Sequence, residues 1–170
     1  MIHFIVATSS ESKLIIKKLK LKKIQPSSGF DFFYNNGFSM TITGLGKISF
    51  NEDITEGKHE DINGIGLTLI SASNMGNTLI EREFKSCHLE NGESINRVYL
   101  IEPSSNLNLD VTMHFSYFDS ELNGNQEDDL LVFKSIDEGN EWSKKGGIVD
   151  TTNNLIKLSG INSFSKWTLG

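Results

Sequence analysis

Eight consecutive residues have the types and spacing of a recognisable device. Ser135-Ile136-Asp137-Glu138-Gly139-Asn140-Glu141-Trp142 reads Ser-x-Asp-x-Gly-x-x-Trp, the Asp-box pattern. Its physical content is a β-hairpin. Asp137 can accept hydrogen bonds from turn amides, Gly139 can supply a positive φ, and Trp142 can fold back over the turn. One copy stabilises a turn and does no chemistry by itself, so Ser135, Asp137, Gly139 and Trp142 are structural candidates. Trp142 and Trp167 each follow a polar segment, and both are expected to be largely buried.

A second cluster is richer in oxygen. Residues 119–129 hold five carboxylates, at Asp119, Glu121, Glu127, Asp128 and Asp129. The opening, with Asp119, Glu121, Asn123 and a glycine at the sixth place, imitates a Ca²⁺-binding EF-hand loop. The imitation fails at the twelfth place, which is Leu130 rather than glutamate. Asp119, Glu121 and Asn123 are the residues such a site would use. The expected state is a solvated acidic turn, with no metal and no cofactor.

The remaining reactive types are scattered. The four histidines, His3, His59, His88 and His114, have no ligand spacing. Cys87 is the only cysteine, which excludes an intramolecular disulfide and the multi-thiolate metal sites, and it reads as a small inert thiol. Gly44-Leu45-Gly46-Lys47 is too short for a phosphate loop, and no nucleophile elbow is present.

These side chains must be positioned by short strands. From about residue 64 onward the chain lacks an amphipathic helical pattern and alternates instead. Apolar runs at 66–72, 78–84, 95–101, 109–117, 130–134, 155–158 and 166–169 are divided by turn clusters such as Asn91-Gly92 and Asn123-Gly124-Asn125. Many short strands with regular turns predict an antiparallel β-sandwich. Leu109, Val111, Met113, Phe115 and Tyr117 alternate and should share one core face.

Residues 1–50 have a different character and read β-α-β-β. His3-Phe4-Ile5-Val6-Ala7 is a short strand, and Thr8-Ser9-Ser10-Glu11 has capping-box spacing before a helix that fades near Lys23. Phe30–Tyr34 and Phe38–Thr43 read as a hairpin across Asn35-Asn36-Gly37. Seven lysines against Glu11 and Asp31 make residues 1–50 net +5, and the rest of the chain is −11. That asymmetry divides the chain into a leader at 1–50, a polar boundary at 51–63 and a sandwich at 64–170. The lysines read as a solvated helix face rather than a nucleic-acid site, because no aromatic residues are interleaved with them. No apolar run approaches the roughly 20 residues that span a bilayer. No basic segment precedes the first apolar residues, so no export signal is visible.

Two resemblances add expectations. Gly66-Leu67-Thr68-Leu69-Ile70-Ser71, Glu93-Ser94-Ile95-Asn96-Arg97-Val98-Tyr99 and Ile101-Glu102-Pro103 occur in order. Residues 109–121, Leu122-Asn123-Gly124, the Trp142 hairpin and the close at 158–169 follow. Residues 64–170 thus resemble a recurring β-sandwich module of large secreted and surface proteins from bacteria with type IX secretion. The resemblance implies a non-catalytic structural, spacer or adhesion role outside the cell, where surface glycans and other extracellular proteins are the partners available. Ca²⁺- or glycan-binding adhesion is one form of it.

Residues 2–49 resemble the start of the nucleoside phosphorylase and nucleosidase superfamily. The matching features are the turn Ala7-Thr8-Ser9-Ser10-Glu11 and Thr43-Gly44-Leu45-Gly46-Lys47. The resemblance makes Glu11 the counterpart of the family glutamate that helps bind water. The family's later nucleoside-binding and catalytic stretches are missing here, so no catalysis is expected. The alternative function is a degenerate nucleosidase that binds purine nucleosides through the leader.

Overall fold

Alternation of apolar and polar side chains organises the chain from Lys47 onward. A computed structural model describes residues 46–170 and the backbone of three short strands before them. These are β1 (Lys22–Ile24), β2 (Phe32–Tyr34) and β3 (Thr41–Thr43). The expected strand at 3–7, the helix that follows and Glu11 lie outside the described residues.

β1 pairs with β2, while β3 pairs with β4 (Lys47–Ile54). The turn Asn35-Asn36-Gly37 of the expected hairpin, with most of its second arm, lies outside the described residues. Just before β4, Gly46 holds φ at 71°. Glycine adopts that left-handed value without a Cβ penalty.

Twelve further strands follow β4. They are β5 (Gly57–His59), β6 (Leu67–Ser71), β7 (Gly76–Glu83), β8 (His88–Leu89), β9 (Gly92–Glu93) and β10 (Val98–Pro103). Then come β11 (Val111–Ser116), β12 (Val132–Ser135), β13 (Ser143–Gly146), β14 (Ile148–Asp150), β15 (Leu155–Ile161) and β16 (Lys166–Leu169). They build a seven-stranded sheet in the order β13-β12-β16-β10-β7-β4-β3 and a five-stranded sheet in the order β14-β15-β11-β6-β5. All the pairings are antiparallel.

The stretch 51–63 is not a linker. β4 lies inside the large sheet against β7, and β5 forms an edge of the small one against β6. The sandwich accordingly starts at least as early as Lys47. Ile48, Phe50 and Ile54 face the core on alternate positions, although Asn51, Glu52 and Asp53 make the stretch look polar.

One core fills the space between the sheets. Leu109, Val111, Met113, Phe115 and Tyr117 all face it, each at most 2% exposed. The Tyr99 ring from the large sheet meets the Phe115 ring from the small one edge-on, with centroids 4.7 Å apart. Among the described residues, no helix is long and apolar enough to cross a membrane.

Register fixes the two ends. Lys47, Glu83, Val98 and Thr168 form one row across the large sheet. Ile54 with Gly76, and Lys166 with Ser135, lie toward the other end. The turns at 72–75, 104–110, 136–142 and 162–165 cluster at that second end.

Candidate functional site

Three polar constellations emerge, one at the first end of the sandwich and two at the second. The first is a buried charge cluster. Arg82 follows Thr78 and Ile80 on the core face of β7, and Arg97 precedes Tyr99 and Ile101 on that of β10. Both guanidinium groups therefore point into the end of the core, where Glu121 meets them from a short 3₁₀ turn, Asp119–Glu121. Arg82 Nη2 donates to Glu121 Oε1 at 2.8 Å, and Arg97 Nε donates to the same oxygen at 3.2 Å. Arg97 Nη2 and the Phe118 amide donate to Glu121 Oε2.

The remaining donors tie the sheets to their loops. Arg82 Nη1 and the Tyr99 hydroxyl both donate to the Ile65 carbonyl, and Arg97 Nη1 donates to the Ser116 carbonyl. Arg82 stacks on Phe84 at 4.5 Å and Arg97 on Phe118 at 5.3 Å. Desolvation, reinforced by the neighbouring Arg97, lowers the Arg82 pKa from its ordinary value, against the pull of Tyr99 and Glu121. The cluster carries two cations against one carboxylate and belongs to the architecture.

This cluster explains what becomes of the acidic loop. Glu121 is buried with its oxygens already accepting hydrogen bonds. Asp119 accepts from the Asn154 side chain, while Asn123 donates to the Ser94 carbonyl at 3.0 Å. The Tyr117 hydroxyl donates to Glu127 at 2.8 Å, and burial first, then Glu127, push its pKa up. Asp119, Glu121 and Asn123 thus serve three different partners. Among the described residues, no group of three or more His, Cys, Asp or Glu could hold a metal ion.

The second constellation is the 135–142 turn. Ser135 Oγ donates to Asp137 Oδ1 at 2.7 Å and accepts the Gly139 amide at 2.9 Å. Asp137 Oδ1 accepts the Glu141 amide at 2.9 Å, and Gly139 sits at φ 96°. The Trp142 indole N–H donates to the Gly139 carbonyl at 3.1 Å, so the ring does fold back over the turn. It is only half-buried, which corrects the expectation for Trp142, whereas Trp167 is buried as expected. Trp142 covers a surface turn, while Trp167 faces the core from β16, between β10 and β12. The four residues of the pattern are brought together as a turn. The Glu141 amide, followed by the Ser135 hydroxyl, holds the Asp137 carboxyl below its ordinary pKa.

The third constellation adjoins that turn and was not legible beforehand. A groove of about 270 Å³ opens between β12–β13 and the outer part of β15. Lys134, Lys145, Ser159, Asn162, Ser163 and Trp167 are among its lining residues. Lys134 pairs directly across from Trp167, so it lies on the core-facing side of β12. Its ammonium sits 5.1 Å from the Trp167 ring and donates to the Ser163 carbonyl at 2.7 Å and hydroxyl at 2.9 Å. Burial, and then the charge of Lys145, lower the Lys134 pKa.

Two register irregularities border this groove. One lies between Val132 and Phe133 against β13, where Lys144 and Gly146 are paired and Lys145 is the extra residue. The other lies between Val111 and Met113 against β15, at Ser159 and Gly160. Gly160 takes φ 73° with nothing near its Cβ position.

No family model matches the chain, and no curated protein or solved structure matches it.

Proposed function

We propose that this chain is a non-catalytic β-sandwich module of a secreted or cell-surface protein, with a structural or adhesive role. The observation that carries this reading is the use of its polar side chains. The groups whose types suggested chemistry, Asp119, Glu121, Asn123, Ser135 and Asp137, all make hydrogen bonds that hold their own turns and strands. The ordered motif resemblance over residues 64–170 adds the extracellular setting. The 135–142 turn is, on this reading, a structural Asp-box that caps one end of the sandwich. Surface glycans and other extracellular proteins are the partners such a module meets.

The setting can be tested in the cells that make the protein. An amine reagent that cannot cross membranes should label exposed lysines such as Lys144 and Lys145 on intact cells, or label the chain in the medium. Labelling that requires cell lysis would count against an extracellular module.

A further inference from the structure

We propose that the groove beside Trp167 binds a small organic ligand through its carboxylate, held by Lys145, Lys134, Asn162 and the Trp167 indole N–H. This goes beyond the structural role and does not depend on it. Four independent features converge there.

The first is charge. Lys134 and Lys145 line the same groove, and neither forms an ion pair among the described residues. Two cations brought together without a carboxylate repel each other, and an anion between them removes that repulsion. The second is an unsatisfied donor. Trp167 is 2% exposed, and its indole nitrogen has no hydrogen-bond partner among the described residues. A buried N–H of this kind gains from an acceptor that enters the groove.

The third feature is geometric. β-Bulges re-aim side chains and recur next to binding sites. Here one bulge belongs to the large sheet, the other to the small sheet, and both open onto this groove. The first turns Lys145 out of strand register; the second puts a glycine without near neighbours at the wall. The fourth is an incomplete edge. β14 pairs with β15 only from Leu155 to Lys157, so among the described residues 158–161 have no strand partner on that side.

These features set the ligand class. The volume lies just below that of ordinary small-molecule sites, which suits something of single-sugar or single-amino-acid size. Leu158 and Ile161 add apolar wall, which favours an organic skeleton over a bare inorganic ion. The carboxylate could come from an acidic sugar or an acidic amino acid.

The test is an NMR titration of the full chain, read at the two indole N–H signals. They belong to Trp142 and Trp167 and are assigned through Trp142→Phe. The probes are glucuronate, N-acetylglutamate, glucose and inorganic phosphate at matched ionic strength. A saturable shift of the Trp167 signal, with Trp142 unmoved, is expected for at least one carboxylate and not for glucose. Glucuronate alone would identify the source as an acidic sugar, N-acetylglutamate alone as an acidic amino acid, and both would show that the carboxylate suffices. Lys145 is exposed, so Lys145→Gln should fold normally and weaken binding by about fivefold, the most one exposed charged contact is worth. No saturable shift with either carboxylate, an equal response to glucose, a response to phosphate alone, or unchanged affinity in Lys145→Gln would overturn the assignment.

Discussion

Arg97 grips both oxygens of Glu121, Nε on Oε1 and Nη2 on Oε2, although the two residues stand 24 apart in the sequence. Arg97 is 1% exposed and Glu121 8%, so water shares little of this contact. A two-pronged guanidinium–carboxylate pair of this kind fixes orientation as well as charge.

Replacing Glu121 with alanine should therefore be among the most damaging single changes in the sandwich. It leaves two buried guanidinium groups without their anion and the Phe118 amide without its acceptor. The expected loss is about 3–5 kcal/mol, as for other broken buried pairs, read as a fall in the urea unfolding midpoint. A loss below about 1 kcal/mol would mean that water reaches the arginines.

This cluster also marks the limit of what the sequence discloses. Strand β11 was legible because its core residues alternate without interruption, and β16 because a tryptophan and a leucine stand two apart within a short run. β4 was missed for a local reason. Glu52 occupies an inward position in the alternation, yet it stays half-exposed and accepts from Asn63, which breaks the apolar pattern without breaking the strand. The Arg82–Glu121–Arg97 cluster left no local pattern at all. Its members are 39 and 24 residues apart, and only the pairing of β7 with β10, which sets Tyr99 opposite Arg82, brings Arg97 diagonally beside it. The groove was hidden likewise, because a bulge at Lys145 depends on register, which the Ser143–Gly146 sequence does not show.

Trp167 gives a second stability test. Its ring packs edge-on against Phe164 at 5.8 Å and lies in the core from a central strand. Trp167→Ala should cost roughly 3–5 kcal/mol. Trp142→Ala should cost clearly less, because that ring is half-buried and covers only its own turn. Equal losses in the two variants would contradict the difference in burial.

Acid should open the 135–142 turn late. Asp137 has a folded-state pKa depressed by the Glu141 amide and the Ser135 hydroxyl. A depressed carboxyl contributes stability above its unfolded value of about 3.9, and the contribution fades as pH falls through the lower folded value. The Asp137 carboxyl signal should therefore titrate below the ordinary carboxylate range by NMR. Asp137→Asn should remove that part of the acid response. A midpoint at or above the ordinary value would show that these bonds do not form in solution.

Calcium should leave the melting temperature nearly unchanged. Asp119, Glu121 and Asn123 are directed to Asn154, the arginines and Ser94 respectively. A tight site needs about six to eight oxygens converging on one point. A rise of roughly ten degrees in millimolar Ca²⁺, reversed by chelator, would require the loop to rearrange around a metal.

Two glycines near the charge cluster separate backbone strain from crowding. Gly64 and Gly66 both have left-handed φ, at 72° and 80°. A side chain at either position pays the same kind of conformational penalty, about 1 kcal/mol. Their surroundings differ. A Cβ at position 64 meets nothing within 4 Å. A Cβ at position 66 would stand 2.6 Å from Arg97 Nη1 and 3.3 Å from the Ser116 carbonyl oxygen. That is the same carbonyl to which Arg97 Nη1 donates, so the added methyl would wedge into the anchor of the buried arginine. Gly66→Ala should then exceed Gly64→Ala by roughly 1–3 kcal/mol, the usual cost of overpacking. The excess should shrink in an Arg97→Met background, where the crowded guanidinium is gone and the two sites become coupled rather than additive. Denaturant unfolding of the four variants measures that coupling. An excess that persists unchanged without Arg97 would mean that the Ser116 carbonyl, and not the arginine, sets the limit on position 66.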